Sequence, residues 1–190
     1  PNIHECSNYL KKGPQVWREE TLFSHIKRFP KASFYKGSLE GLLEDKIALR
    51  TYYQIPRHDE YQISSDEELI QKYRELFSSA VKLRLRADVD IGTALSGGLD
   101  SSSIAYFINK KLRQENSSEK QKTFSSVYTN ANYSRYDESK YIDSVANTLD
   151  VNSHKVDIEM DLMLKEYEKV IWAHDCPPEG MPIQGWMTYR

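Results

Sequence analysis

The sequence predicts an α/β fold: a parallel sheet with helices on both faces, preceded by a short β-rich segment. Two observations carry this expectation. From residue 64 onward, short runs rich in β-branched and aromatic residues alternate with longer stretches of helical period. A helix also separates each strand from the next, which calls for right-handed crossovers and hence parallel strands.

Residues 1–21 are polar, are broken at Gly13-Pro14 and show no clear period, so they carry no assignment. Residues 22–55 contain two strand-like pieces, Ala32 to Tyr35 and Ile47 to Ile55, the second closed by Pro56. Residues 56–65 are polar and read as a linker, which divides the chain into 1–63 and 64–190. Ser64 and Ser65 each precede a glutamate by three residues (Glu67, Glu68), so either can open a capping box. Leu69, Ile70, Tyr73, Leu76, Phe77, Ala80 and Val81 then form one stripe of a helix ending near Ala87.

Val89 to Leu95 is the first strand of the sheet. Ser102 to Leu112 is helical, with Ile104, Ala105, Phe107, Ile108 and Leu112 apolar, and residues 113–122 form a solvated loop. Thr123 to Tyr128 is the second strand and Asp137 to Leu149 the next helix, with Tyr141, Ile142, Val145, Ala146 and Leu149 on its stripe. Ser153 to Ile158 is the third strand and Leu162 to Ala173 another helix. Gly185 to Arg190 has the character of a further helix start. Residue 1 is proline and the last residues carry no stop signal, so both ends are expected to be cuts in a longer protein.

Hydrophobic residues make up 39% of the 190, enough for a packed core. Lys and Arg total 26 against 28 acidic residues, a formal charge of -2, which supports neither a nucleic-acid-coating surface nor a membrane-binding face. Cys6 and Cys176 form neither a zinc pattern nor a disulfide framework, which fits a reducing, cytoplasmic location. No apolar run approaches membrane-spanning length and no signal peptide opens the chain.

In an open parallel sheet, ligands bind beyond the carboxyl ends of the strands. The first strand ends at Leu95, and Ser96-Gly97-Gly98-Leu99-Asp100-Ser101-Ser102 follows, leading into a helix. Two adjacent glycines permit a tight turn and close approach of the backbone to a ligand. Successive N–H groups of such a turn form an anion nest, and the helix adds its positive end. Ser96, Ser101 and Ser102 offer hydroxyls to phosphate oxygens. Asp100 would repel phosphate unless a divalent cation lay between them, which makes it a candidate Mg²⁺ ligand. A Walker A loop needs a lysine after its last glycine, and no lysine occurs between Lys82 and Lys110. γ-Phosphoryl transfer is thereby disfavoured, and attack at the α phosphorus with release of pyrophosphate fits better. The pattern Ser-Gly-Gly-x-Asp-Ser should arise by chance in about one in several thousand chains of this length, so its place between strand and helix is not an accident of composition.

On these residues the sequence resembles the N-type ATP pyrophosphatase, or PP-loop, superfamily, and within it the synthetase domain of glutamine-dependent asparagine synthetases. Arg84 to Gly92 is similar to the family's stretch before the loop, with Asp90 where proline is more usual. Tyr136 to Tyr141 with Val145-Ala146 is similar to its second helix, and His154 and Val156 lie where its third strand begins. Leu22 to Pro30 and Tyr52 to Pro56 resemble the end of the glutaminase domain and its link. The resemblance spans roughly residues 20–180. It implies an adenine nucleotide alpha hydrolase-like, PP-loop Rossmann-like fold, with 1–63 as the remnant of a glutaminase domain and 64–190 as the first part of a synthetase domain. It also implies ATP and Mg²⁺, aspartate or a related carboxylate as substrate, and ammonia from a glutaminase domain; it allows a homodimer. Leu95, Ser126 and Val127 would border the adenine by carry-over of position, and Leu99 belongs to the loop. No catalytic residue is assigned. The family's glutaminase nucleophile is an N-terminal cysteine; Pro1 stands here, and Cys6 sits in no matching context. The family's second acidic loop would lie beyond Arg190, so this piece alone should not synthesise asparagine.

Other features read more plainly. Lys82, Arg84 and Arg86 suit a solvated helix end favoured by the dipole. His154 and His174 have no partner at useful spacing. Asp175 or Glu179, flanking Cys176-Pro177-Pro178, could reach a substrate pocket by family analogy. Two other readings stay open: a related PP-loop enzyme acting on another carboxylate, as in β-lactam synthetases, and a non-catalytic nucleotide-binding domain.

Overall fold

The computed structural model describes residues 1–43, 48–56, 65–115, 119–177 and 182–189, and the chain divides into two compact units, Pro1–Ile63 and Ser64–Arg190. Ile47, Ser64, Glu179 and most of the expected linker lie outside the described residues.

The first unit opens with a helix that the polar sequence gave no period for. Helix α1 (Ile3–Lys12) is capped by Asn2, whose side chain accepts from the Glu5 N–H, and is closed by Gly13 at φ 72°. Asn2 three residues before Glu5, with Gly13 after the last turn, was the available signal. Glu5 is buried and pairs with Arg18 at 2.8 Å. Arg28 gathers the loop behind it by donating to the carbonyls of Arg18 (3.1 Å) and Glu20 (2.8 Å). Strands β1 (Ser33–Phe34) and β2 (Arg50–Thr51) pair antiparallel, Ser33 against Thr51, with the short helix α2 (Leu39–Leu43) between them. The expected β-rich segment is thus two residues of pairing on each side, centred where the Tyr- and Thr-rich patterns placed it.

The second unit starts at α3 (Asp66–Arg84), where the Ser65 hydroxyl accepts from the Glu68 N–H. The helix stops at Arg84, short of Ala87. Its apolar stripe is only partly used. Val81 is buried and Phe77 packs on Phe107, but Tyr73 is 65% and Leu76 60% exposed. Three strands follow, each entered from a helix: β3 (Gly92–Ala94), β4 (Lys122–Val127) and β5 (Asn152–Asp157). They form a parallel sheet in the order β3-β4-β5, with Thr93 beside Thr123 and Phe124 beside His154.

Helices flank both faces. On one, α4 (Leu99–Gln114) and α5 (Ser139–Leu149) close a core of Leu95, Ala105, Val127, Ile142 and Ala146, with Val145, Leu149 and Val151 packed against it. Fully burying Ile142 alone contributes about 1.5–3 kcal/mol. On the other face, α7 (Pro182–Tyr189), which packs with α6 (Met160–His174), sets Tyr189 against Phe124 and Thr188 against Ser126. Period-2 alternation along β4 sends Thr123, Ser125 and Val127 to the first face, and these are buried, whereas Phe124 and Ser126 are half-buried. A 3-10 helix (Ala131–Tyr136), absent from the sequence expectation, joins β4 to α5. Among the described residues no helix is long and apolar enough to cross a membrane.

Candidate functional site

The carboxyl ends of the three strands lie side by side, and the glycine turn begins at the end of β3. Leu95 is anchored there twice. Its N–H donates to the Phe124 carbonyl at 2.9 Å, and its own carbonyl accepts the Ser125 hydroxyl at 2.5 Å. Gly97 then turns the chain at φ 78°. That conformation favours glycine, and space demands it as well. A Cβ on Gly97 would stand 2.5 Å from the Tyr141 Cβ and 2.8 Å from the Ile142 nitrogen, both in the first turns of α5. Helix α4 starts at Leu99, so Leu99, Asp100, Ser101 and Ser102 form a helical turn and not an extended loop. The first N–H groups of a helix have no intrahelical acceptor, and the sixteen residues of α4 bring their dipole to this end.

The hydroxyls are arranged more closely than the sequence implied. Ser96 Oγ and Ser101 Oγ lie 2.9 Å apart. Ser96 Oγ accepts from the Gly98 N–H at 3.3 Å, and Ser101 Oγ from the Ser96 N–H at 3.2 Å. Two hydroxyls and two amides thus share hydrogen bonds, and Ser101 Oγ also reaches the Gly98 carbonyl at 3.3 Å. Ser102 differs: its Oγ is closed off from solvent and has no partner among the described residues, so the turn would have to move before that hydroxyl met a phosphate. Asp100 is exposed, without a hydrogen-bond or ion-pair partner among the described residues. Described residues include no group of three or more His, Cys, Asp or Glu able to cage a metal. Asp100 fits the mode in which Mg²⁺ is held by one or two carboxylates and the substrate's own phosphates.

The three residues expected at the adenine are not equivalent. Leu95 is 1% and Val127 5% exposed, and both belong to the core cluster. Their side chains pack into the core beneath the strand ends. Ser126 is half-buried and shares a hydrogen bond of 2.6 Å with Thr188.

Sequence reasoning missed the carboxylates that fasten the neighbouring strand ends. Asp137 Oδ1 accepts from the Tyr128 N–H at 3.1 Å and the Ser139 hydroxyl at 2.7 Å. These bonds, Ser139 first, hold its carboxyl below the usual range. Asp157, the last residue of β5, is lowered in the same way by the Thr129 hydroxyl and N–H. Asp137 at the head of a helical pattern, two residues before Ser139, was the only local signal.

The other described candidates have local partners or places of their own. Arg84 donates to the Ala80 carbonyl at the end of α3. His154 stacks on Phe124 with ring centroids 5.1 Å apart. Asp175 closes α6 in a left-handed conformation at φ 54°.

The sequence profile of the Asparagine synthase family matches residues 72–186, from α3 to α7. The chain belongs to the asparagine synthase family. It is 32% identical to an asparagine synthetase-type protein of Methanocaldococcus jannaschii over 146 residues, covering 77% of this chain and 26% of that protein. It is 29% identical to amidase chyE of Penicillium rubens over 192 residues, covering 91% of this chain and 28% of that protein. Identity to asparagine synthetase (glutamine-hydrolyzing) 2 of Bacillus subtilis is 29% over 119 residues, 58% of this chain and 14% of that protein. The chain therefore spans about a quarter or less of the length of these curated relatives. Within the asparagine synthase family match lie the whole parallel sheet, the Ser96–Ser102 turn and the packing of Gly97 on α5.

Proposed function

We propose that this chain carries the nucleotide-binding part of an AMP-forming amide synthetase that adenylates the side-chain carboxylate of aspartate. The observation that carries the proposal is the Gly97 turn, which leads from the end of β3 into the N-terminus of α4 with no lysine in it. Backbone N–H groups and the Ser96 and Ser101 hydroxyls would take the β and γ phosphates of ATP as a leaving group. Asp100 would hold Mg²⁺, which when bound neutralises phosphate charge. With pyrophosphate gripped, the substrate carboxylate attacks the α phosphorus, forming β-aspartyl-AMP and pyrophosphate. Ammonia then displaces AMP and leaves asparagine. In this reading the unit Pro1–Ile63 is the end of a glutaminase domain that supplies the ammonia from glutamine.

One observation favours a second acceptor. A relative named an amidase aligns with 91% of this chain, so the same scaffold could activate a different carboxylate. ATP–pyrophosphate exchange by the full-length protein, with a panel of carboxylates, tests both. Exchange dependent on aspartate supports the first acceptor, exchange with another acid supports the second, and ATP binding without exchange defeats the synthetase reading.

A further inference from the structure

Gly97 makes its turn directly against α5, which leaves no room for a Cβ, and the N-cap residue of α5, Glu138, provides no side-chain cap. The residue before it does the fastening. One oxygen of Asp137 binds the Tyr128 N–H, just past the end of β4, and the hydroxyl of Ser139, the first residue of α5. Tyr141 and Ile142 form the wall that Gly97 touches, and Ile142, wholly buried, ties the same turn to Leu95 in the core. The chain of contacts therefore runs from Asp137, through the first turn of α5, to the backbone of the glycine turn.

We propose that Asp137 is a positioning residue for the nucleotide loop: by pinning the start of α5 to the end of β4, it fixes the wall that shapes the Gly97 turn. It touches no reacting atom. The proposal rests on the loop's proposed role only for its effect on ATP; its effect on the loop itself is independent of that reading.

The test compares Asp137→Ala, Asp137→Asn and a control of similar stability loss, Val170→Ala in the buried face of α6, in the full-length protein. The first readout is amide hydrogen exchange of the peptide covering residues 95–102, without nucleotide. Asp137→Ala should speed it by about tenfold, as expected for a local opening, while Asp137→Asn, which keeps an acceptor oxygen, and Val170→Ala stay near wild type. The second is ATP–pyrophosphate exchange, in which Asp137→Ala should raise KM for ATP by about tenfold with a smaller change in kcat. Should Asp137→Ala fail to fold, Ser139→Ala removes one of the two bonds and should move both readouts in the same direction. Loop exchange in Asp137→Ala, or in Ser139→Ala where that variant replaces it, no faster than in Val170→Ala overturns the proposal. A wild-type protein without ATP–pyrophosphate exchange defeats the synthetase reading instead and leaves the hydrogen-exchange result to decide this one.

Discussion

The backbone of Gly97 lies so close to Tyr141 that a single added carbon would stand 2.5 Å from the tyrosine Cβ. Two constraints meet at this residue, a positive φ and the absence of room, and neither can be relieved by a flexible side chain swinging away. The remaining short distances run to α5 backbone, 2.7 Å to the Tyr141 carbonyl carbon and 2.8 Å to the Ile142 nitrogen.

Gly97→Ala should therefore shift α5 or flatten the turn, lowering stability by about 1–3 kcal/mol from strain alone. Urea denaturation measures that loss, and ATP–pyrophosphate exchange should fall by at least about tenfold. A variant of wild-type stability and activity would show that the turn adapts.

Asp100→Ala should abolish ATP–pyrophosphate exchange while lowering the thermal midpoint only slightly, because the carboxylate is exposed and makes no bond among the described residues, and folding would lose only its favourable place in the first turn of α4. Asp100→Asn should be nearly as inactive, since a neutral amide cannot replace a charged Mg²⁺ ligand. Unchanged exchange in either variant would remove Asp100 from the proposed site.

Ser102 and Ser125 should respond in opposite ways. The Ser102 hydroxyl is covered and has no partner among the described residues, so Ser102→Ala relieves an unsatisfied group and leaves stability unchanged or raised. Its exchange activity should stay within about twofold of wild type. Ser125→Ala deprives the buried Leu95 carbonyl of its hydroxyl partner and should cost about 1–3 kcal/mol. Paired urea titrations of the two variants measure both.

Acid should weaken the second unit. Asp137 and Asp157 are both held below their unfolded values by hydrogen bonds to the ionised form. A depressed folded pKa means stability that is present above the unfolded value of about 3.9 and lost as pH falls through the folded one. The thermal midpoint should thus drop below about pH 4, and Asp157→Asn should flatten part of that acid limb. A slope unchanged by the substitution would mean that Asp157 contributes nothing to it.

The sheet was legible because its strands and helices differ in period, and the candidate site because its glycine turn sits at the carboxyl end of a strand, where open parallel sheets commonly bind ligands. What could not be read depended on residues distant in sequence. Nothing local shows that Ser125 reaches Leu95, or that α5 lies against Gly97. The apolar period marks a helix from Ser102, yet α4 begins at Leu99, itself 85% exposed. Helix α1 is hard to read for a related reason: its caps are visible, but its few apolar residues, Ile3 and Leu10 among them, stay exposed and give no buried stripe. Along α3 the period marks one stripe, of which Val81 is buried within this chain while Tyr73 and Leu76 are exposed.

The pairing of Ser96 with Ser101 bears on selectivity. Donors that already satisfy each other give an incoming molecule no vacancy to fill, only partners to exchange. An uncharged guest would swap one ordinary hydrogen bond for another and gain little. An anion offers bonds about twice as strong, so under the proposed role of this turn the closed pair would act as a threshold that favours a phosphate tail over water and over neutral solutes of similar shape.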